Sequence, residues 1–249
     1  MEDYLVFQLC GPMAAWGDTA VGEVRPSLDH PGRSQVLGLL AAALGIGRHE
    51  DETHAALSAG YRVAVSTRNA GHLLRDYHTV QVPPQVALKK MPHHTRRDEL
   101  LALARYNRLQ GKSAGTILSS RDYRVDGDWL VLVQSTDRAP HMLDDLAEAL
   151  RYPRFVLYLG RKSCPVSRPL FPQVVKAENL HLALQAAEFP SAEVRYPRAG
   201  NATLYWEDGM EIGFDAKTTA LQRNDQPLSR TRWQFSRRTE YRADRPEEV

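Results

Sequence analysis

Cysteine is nearly missing from this 249-residue chain: Cys10 and Cys164 are the only two, far apart and without a Cys-x-x-Cys pair or Cys/His cluster. Neither a zinc site nor a disulfide framework has support, and two buried thiols in a reducing compartment are expected. No apolar run approaches the ~18 residues of a membrane-spanning helix, and the opening Met1-Glu2-Asp3-Tyr4 is acidic where a signal peptide would be basic. A cytoplasmic protein with no membrane partner is expected. Gly-x-x-x-x-Gly-Lys-Ser/Thr, Gly-x-Gly-x-x-Gly, His-Glu-x-x-His and Gly-x-Ser-x-Gly are all lacking. Phosphate-loop, dinucleotide, zincin and serine-hydrolase chemistries are therefore unsupported, and no metal or cofactor is expected.

What is present is ordinary in bulk, at 43% hydrophobic and 25% charged residues, with length for one large or two small cores. The charge is unevenly spread. Residues 75–124 hold ten Lys/Arg against four acids, residues 151–168 hold five cations and no acid, and residues 230–245 hold six cations against two acids. The whole chain is only +2, so the remainder is acidic. One basic surface for a polyanion is the reading this segregation favours.

The chain opens with an apolar strand, Tyr4 to Cys10, broken by Gly11-Pro-Met-Ala-Ala-Trp-Gly17, in which Trp16 reads as a core residue in preference to a stacking platform. A helix follows over Arg33–Gly45. Its start offers free N–H groups, Arg33 and Ser34, which reads either as a capped helix or as an anion site. A second helix (49–59) and an alternating strand (61–67) come next. Two extended arms, Leu74–Val82 and Thr116–Val125, flank about thirty basic, proline-broken residues with a short helix at Asp98–Leu109. They read as a hairpin thumb, too long to be mere connection. Its cations favour nucleic acid, and His93-His94 within it show no obvious catalytic partner.

A strand over Trp129–Gln134 and an amphipathic helix over Pro140–Leu150 lead into Tyr152–Arg168. There Phe155–Leu159 reads as a buried strand that turns at Gly160 into Arg161, Lys162 and Ser163. Glycine, two cations and a hydroxyl after a strand suit a phosphate, and Tyr158 suits an unstacked base; an ordinary solvated turn fits equally. Beyond it, a helix (179–187) and short strands (192–196, 202–206, 210–214) are expected, with a basic, aromatic end at Arg230–Arg242 read as a strand with a wet arginine face. The fold class is thus α+β, a ferredoxin-like (RRM-like) N-terminal domain over 1–170 with an extended β-hairpin thumb at about 72–124, and a small strand-rich lobe over 171–249.

Several stretches jointly resemble one family: Gly11–Gly17, Arg33-Ser34 through Leu44-Gly45-Ile46, Leu74-Arg-Asp-Tyr-His-Thr-Val80, Tyr158-Leu-Gly-Arg-Lys-Ser-Cys-Pro165 with Pro169-Leu-Phe171, and Arg232-Trp-Gln-Phe-Ser-Arg237. Together they are similar to the CasD-type subunit of the type I-E CRISPR surveillance complex, Cascade, in the repeat-associated (RAMP) superfamily. The resemblance implies a non-catalytic cap on the 5′ handle of CRISPR RNA, with a CasC-type backbone subunit and a CasA-type PAM-recognising subunit as partners and target DNA contacted indirectly. By matched position it implies Arg121 and Tyr158 at handle bases, Arg33 and Ser34 on the RNA backbone, and Gly160, Arg161, Lys162 and Ser163 at phosphates. Arg75, His78, Lys89, Lys90 and Tyr123 complete the expected RNA-binding set. The alternative is a metal-independent endoribonuclease of a related branch, for which Tyr77, His78 and Lys89 or Lys90 would supply the groups.

Overall fold

The computed structural model describes residues 1–89, 94–110, 115–190 and 202–245. In chain order they form β1 (Glu2–Ala14), β2 (Val24–Arg25), α1 (Arg33–Leu44), α2 (Asp51–Gly60), β3 (Tyr61–Asn69), β4 (His72–Val82), α3 (Gln85–Leu88), α4 (Arg96–Gln110) and β5 (Gly115–Ser135). There follow α5 (Leu143–Arg151), β6 (Gln173–Ala177), α6 (Leu180–Ala186), β7 (Thr203–Trp206), β8 (Thr219–Ser229) and β9 (Gln234–Asp244). Lys90 and the Met91–His93 stretch lie outside the described residues, as does the strand expected at 192–196.

Mixed helix and strand are dominated by one antiparallel sheet, ordered β6-β1-β5-β3-β7-β9-β8. Its central strands read as continuous apolar runs because both faces are covered. Leu5, Phe7, Leu9, Val131 and Val133 face one core with α1 and α5, whereas Tyr4, Val6, Leu130 and Leu132 face a second core with Leu180, Ala183 and Leu184 of α6. The sheet thus continues past residue 170 through β6, β7, β9 and β8. Trp16 belongs to the first core, 1% exposed and edge-on to Trp129 at 5.1 Å.

The chain divides into two compact units, 1–19 with 26–74 and 122–249, and 20–25 with 75–121. The second contains most of β4, the start of β5, and α3 and α4 between them; β2 adds in parallel, Val24 opposite Ser120. The expected second arm and the Trp129–Gln134 strand are one 21-residue strand, continuous through Asp126, which takes a φ of 61°.

Three expectations change. Phe155–Leu159 is not a buried strand. The sheet edge beside β1 is occupied by β6, and the amides of Arg154 and Phe155 instead bond the carbonyls of Ala43 and Ala42 near the end of α1. Only Leu157 and Leu159 turn inward, leaving Val156 86% exposed. Met210–Phe214 forms no strand, and β8 was not foreseen, because its sequence Thr-Ala-Leu-Gln-Arg-Asn-Asp-Gln-Pro-Leu-Ser is polar and gains its place only by pairing with β9. Ser34 is not a cap: Gly32 holds the N-cap position of α1, and Ser34 lies within the helix.

Candidate nucleic-acid interface

The turn after Tyr158 is closed by backbone hydrogen bonds at both of its ends. Tyr158 and Pro165 form an isolated bridge; the Leu159 amide donates to Cys164 O at 2.7 Å, and Ala15 N donates to Leu159 O at 2.9 Å. Gly160 sits at φ +84°, where a Cβ would overlap the Ala15 carbonyl oxygen. The glycine is therefore required by packing against the Gly11–Gly17 segment. That segment reciprocates at Gly11, whose Cβ would come within 2.7 Å of Leu159 Cδ1. This closure leaves Lys162 and Ser163 exposed and Tyr158 half-buried, and no acid pairs with Lys162 among the described residues. Arg161 is anchored: its Nη1 donates to Asp122 O at 3.2 Å and its guanidinium lies 4.6 Å over the ring of Tyr123. Tyr123 is itself 5% exposed, so it supports Arg161 from beneath. Burial raises the Cys164 thiol pKa, and the neighbouring Ser163 hydroxyl only partly opposes it, which leaves a structural cysteine.

Arg33 and Ser34 are placed differently from the turn. Both are buried, at 5% and 8%, and the Arg33 guanidinium pairs with Glu207 and donates to Ser58 O and, at 2.9 Å, to Tyr61 O. The first amide of α1 donates to Asp225 Oδ2 at 2.7 Å, so a protein carboxylate occupies the position expected for a phosphate. Asp225 is in turn held by Arg238 at 2.6 Å, and Arg238 by Glu240 at 2.7 Å. Arg238 is 11% exposed and thus not part of a wet arginine face, although Arg237 and Arg242 beside it are exposed.

The same network ends on His30, which is fully buried. Its Nδ1 bonds Asp29 at 2.6 Å, its Nε2 bonds Glu240 at 3.1 Å, and its ring stacks on Tyr205 at 3.5 Å. Burial acts to lower the His30 pKa, but the hydrogen bonds and charges of Asp29 and Glu240 prevail and hold it above 6.5. Burial likewise works against Glu240, which His30 and Arg238 nevertheless bring down to about 2, and Asp29 is lowered in the same way. The imidazolium therefore contributes stability in full below 6.5 and loses it as pH rises through its raised folded value. Glu240 contributes its share above the ordinary 4.5 and loses it toward 2, and Asp29 follows the same sign from a lower ordinary value. The difference in unfolding midpoint between wild type and His30→Gln is expected to be widest between those limits and to narrow on the alkaline side. A pH-independent difference in calorimetry would contradict the charged pairing.

The second unit carries Arg75, Tyr77, His78, Lys89 and Arg121. Lys89 and Arg75 are exposed, Arg121 is half-buried opposite Arg25, and His78 Nε2 is paired with Asp76. Tyr77 and His78 are consecutive on β4, so their side chains leave opposite faces of the strand.

Arg230, named from the sequence only as the start of the basic, aromatic end at 230–242, stood outside the expected RNA-binding set. It crosses α1 at Gly38, where a Cβ would come within 3.2 Å of its Nη2, and it donates to the Ser34 carbonyl oxygen. A helical glycine inside an apolar run was the available signal.

The family model described as CRISPR-associated protein (Cas_Cas5) matches residues 4–241. The chain belongs to the Cas5 family of CRISPR-associated proteins. This Cas5 chain is 33% identical over 249 residues to the CRISPR system Cascade subunit CasD of Escherichia coli (strain K12), covering 97% of this chain and 96% of that protein. Among solved structures it is similar to a chain of a CRISPR RNA-guided surveillance complex, with TM-score 0.62, 25% identity, and coverage of 99% of this chain and 90% of that one. A crystal structure of a Cas protein matches with the same TM-score and identity, covering 98% and 95%. The likeness to a CasD-type subunit drawn from the motifs is thus borne out. No helix among the described residues is long and apolar enough to cross a membrane.

Proposed function

We propose that this Cas5 chain is a non-catalytic subunit of a Cascade-type surveillance complex in the cytoplasm, binding and capping the 5′ handle of CRISPR RNA. The observation that carries the reading is the locked turn at Gly160. Its backbone is fixed by Ala15 and Cys164, and it presents Lys162 and Ser163 to solvent beside Tyr158, in a stretch with no acid between residues 151 and 168. A fixed cation and hydroxyl suit phosphates, and a half-buried phenol suits one unpaired base. The run β1-α1-β3-β5-α5-β6 with strand order β6-β1-β5-β3 supports a ferredoxin-like body that takes its last strand, β6, from beyond the expected boundary at 170, with 72–124 as its thumb and the remainder of 171–249 as a C-terminal lobe. From the second unit, Arg75, Lys89 and Arg121 contribute their own contacts. The CasC-type backbone and CasA-type large subunits are the proposed protein partners, and target DNA is met only through the assembled complex.

In assembly assays, Tyr158→Ala is expected to weaken guide retention roughly 5- to 100-fold, the worth of one stacked base. Lys162→Ala is expected to reduce the salt slope of binding by about one, and Arg121→Ala to weaken retention as well. Unfolding midpoints should stay at the wild-type value. Full retention of guide at high salt by both Tyr158→Ala and Arg121→Ala would refute the assignment. The divergence of Tyr77 from His78 on opposite faces of β4 supports the non-catalytic reading over ribonuclease chemistry. Specific metal-free cleavage of repeat RNA by the purified chain would reverse it.

A further inference from the structure

The turn between β8 and β9 carries an arrangement that neither the turn at Gly160 nor the buried network uses. Trp233 is 56% exposed and sits at φ 57°, a left-handed conformation that a bulky side chain adopts only when its surroundings impose it. Those surroundings are explicit. Asp51 accepts from the amides of Arg230 at 2.8 Å and Thr231 at 3.1 Å and from the Ser229 hydroxyl at 2.7 Å, while Ser229 Oγ accepts from Arg232 N at 3.0 Å. The backbone is held so that the indole stands outward, edge-on to Phe235 at 5.7 Å.

Two guanidiniums flank this indole. Arg48 lies 4.7 Å and Arg230 6.0 Å from its centroid. Arg48 is exposed and has no acidic partner among the described residues. Arg230 Nε is buried without a hydrogen-bond partner. Burial lowers the Arg230 pKa, the Arg48 charge lowers it further, and only Tyr158 acts in the opposite sense. Asp51, the carboxylate of this turn, is occupied by the backbone. Like charges gathered around an exposed aromatic ring, with no ion-pair partner for either guanidinium among the described residues, favour an anionic ligand that also stacks.

We propose that Trp233, Arg48 and Arg230 form a second nucleotide site for single-stranded RNA, the base lying on the indole and its phosphate between the two guanidiniums. The inference rests on the handle-binding reading and extends the RNA path from Tyr158, through Arg230, to the C-terminal hairpin. Stacking reads a π-face and not a base edge, so this site is sequence-tolerant.

Titrating the full chain with a short oligouridylate while following tryptophan emission tests it. Trp16, Trp129 and Trp206 are 1%, 0% and 6% exposed, so emission accessible to iodide reports Trp233. The oligonucleotide is expected to quench that emission and shield it from iodide. By anisotropy of labelled RNA, Trp233→Gly is expected to lose roughly tenfold in affinity while keeping or raising the unfolding midpoint, because glycine relaxes the left-handed φ. Arg48→Ala should reduce the salt slope by about one. RNA that binds with wild-type affinity to both variants, yet depends on Tyr158 and Lys162, would overturn this site and leave the handle reading intact. No binding of oligouridylate or repeat RNA at low salt would overturn both. Shielding of Trp233 by polyglutamate but not by RNA would reassign the patch to an acidic protein partner and overturn the proposal.

Discussion

Gly160→Ala is expected to lower the unfolding midpoint by roughly 6–15 °C, the equivalent of about 3–4 kcal/mol in a chain of this size. Two effects add. An L-residue at φ +84° incurs about 1–2 kcal/mol of left-handed strain. The new methyl also meets the Ala15 carbonyl oxygen, with the carbonyl carbon 2.8 Å away, so that backbone rather than a flexible side chain must move. Overpacking of this kind costs about 1–3 kcal/mol. Displacing Ala15 would also strain its amide bond to Leu159 O, through which the 11–17 segment supports the turn. Gly160→Asn discriminates the two effects: asparagine tolerates the left-handed backbone but carries the same Cβ, so it should rescue little. Lys162→Ala, two residues on and exposed, should leave the midpoint unchanged. A normal midpoint for Gly160→Ala would show that the turn and the 11–17 segment are not locked together.

Arg33→Ala is expected to destabilise the isolated protein by roughly 3–5 kcal/mol, with no RNA present. The substitution strands Glu207, 13% exposed at its side chain, together with the carbonyls of Ser58 and Tyr61. Burial already pushes the Glu207 pKa up against the opposing charges of Arg33 and Arg238. Without Arg33 it rises further. A carboxyl with a raised folded pKa contributes most below its unfolded value and loses that contribution as pH rises, so the deficit of Arg33→Ala should be smaller in acid and grow toward neutrality. Pairing Arg33→Met with Glu207→Leu should recover most of the loss, since an apolar pair of similar volume removes the stranded charge. Chemical denaturation across pH measures all of this. An unchanged midpoint with weakened guide retention would instead restore the direct phosphate contact.

These results concern two residues that the sequence placed in one class, and the tertiary structure separates them. Local pattern was enough for much of the fold. The apolar alternation of Tyr61–Thr67, the continuous run of Tyr4–Cys10 and the amphipathic period of Leu143, Leu146, Ala147 and Leu150 each identify an element because burial follows a period set by the backbone itself. The two extended arms and the helix between them were legible as well, from β-prone runs on either side of a proline-broken basic stretch, as was the family through its ordered motifs. Other features depend on partners distant in sequence. Phe155–Leu159 has strand-like side chains but no free strand to pair with once β6 takes the edge of β1. Glycine at 160 was readable as an opening toward a ligand, yet what approaches it is Ala15, 145 positions away. Arg33 could face a phosphate or a carboxylate, and only the return of β7 and β8 brings Glu207 and Asp225 to the start of α1. By itself the sequence determined which residues carry charge, which periods they follow and which family they spell; which cations are neutralised inside the protein and which stand in solvent was decided by tertiary structure, because ion pairing is a matter of three-dimensional proximity that residue type does not encode.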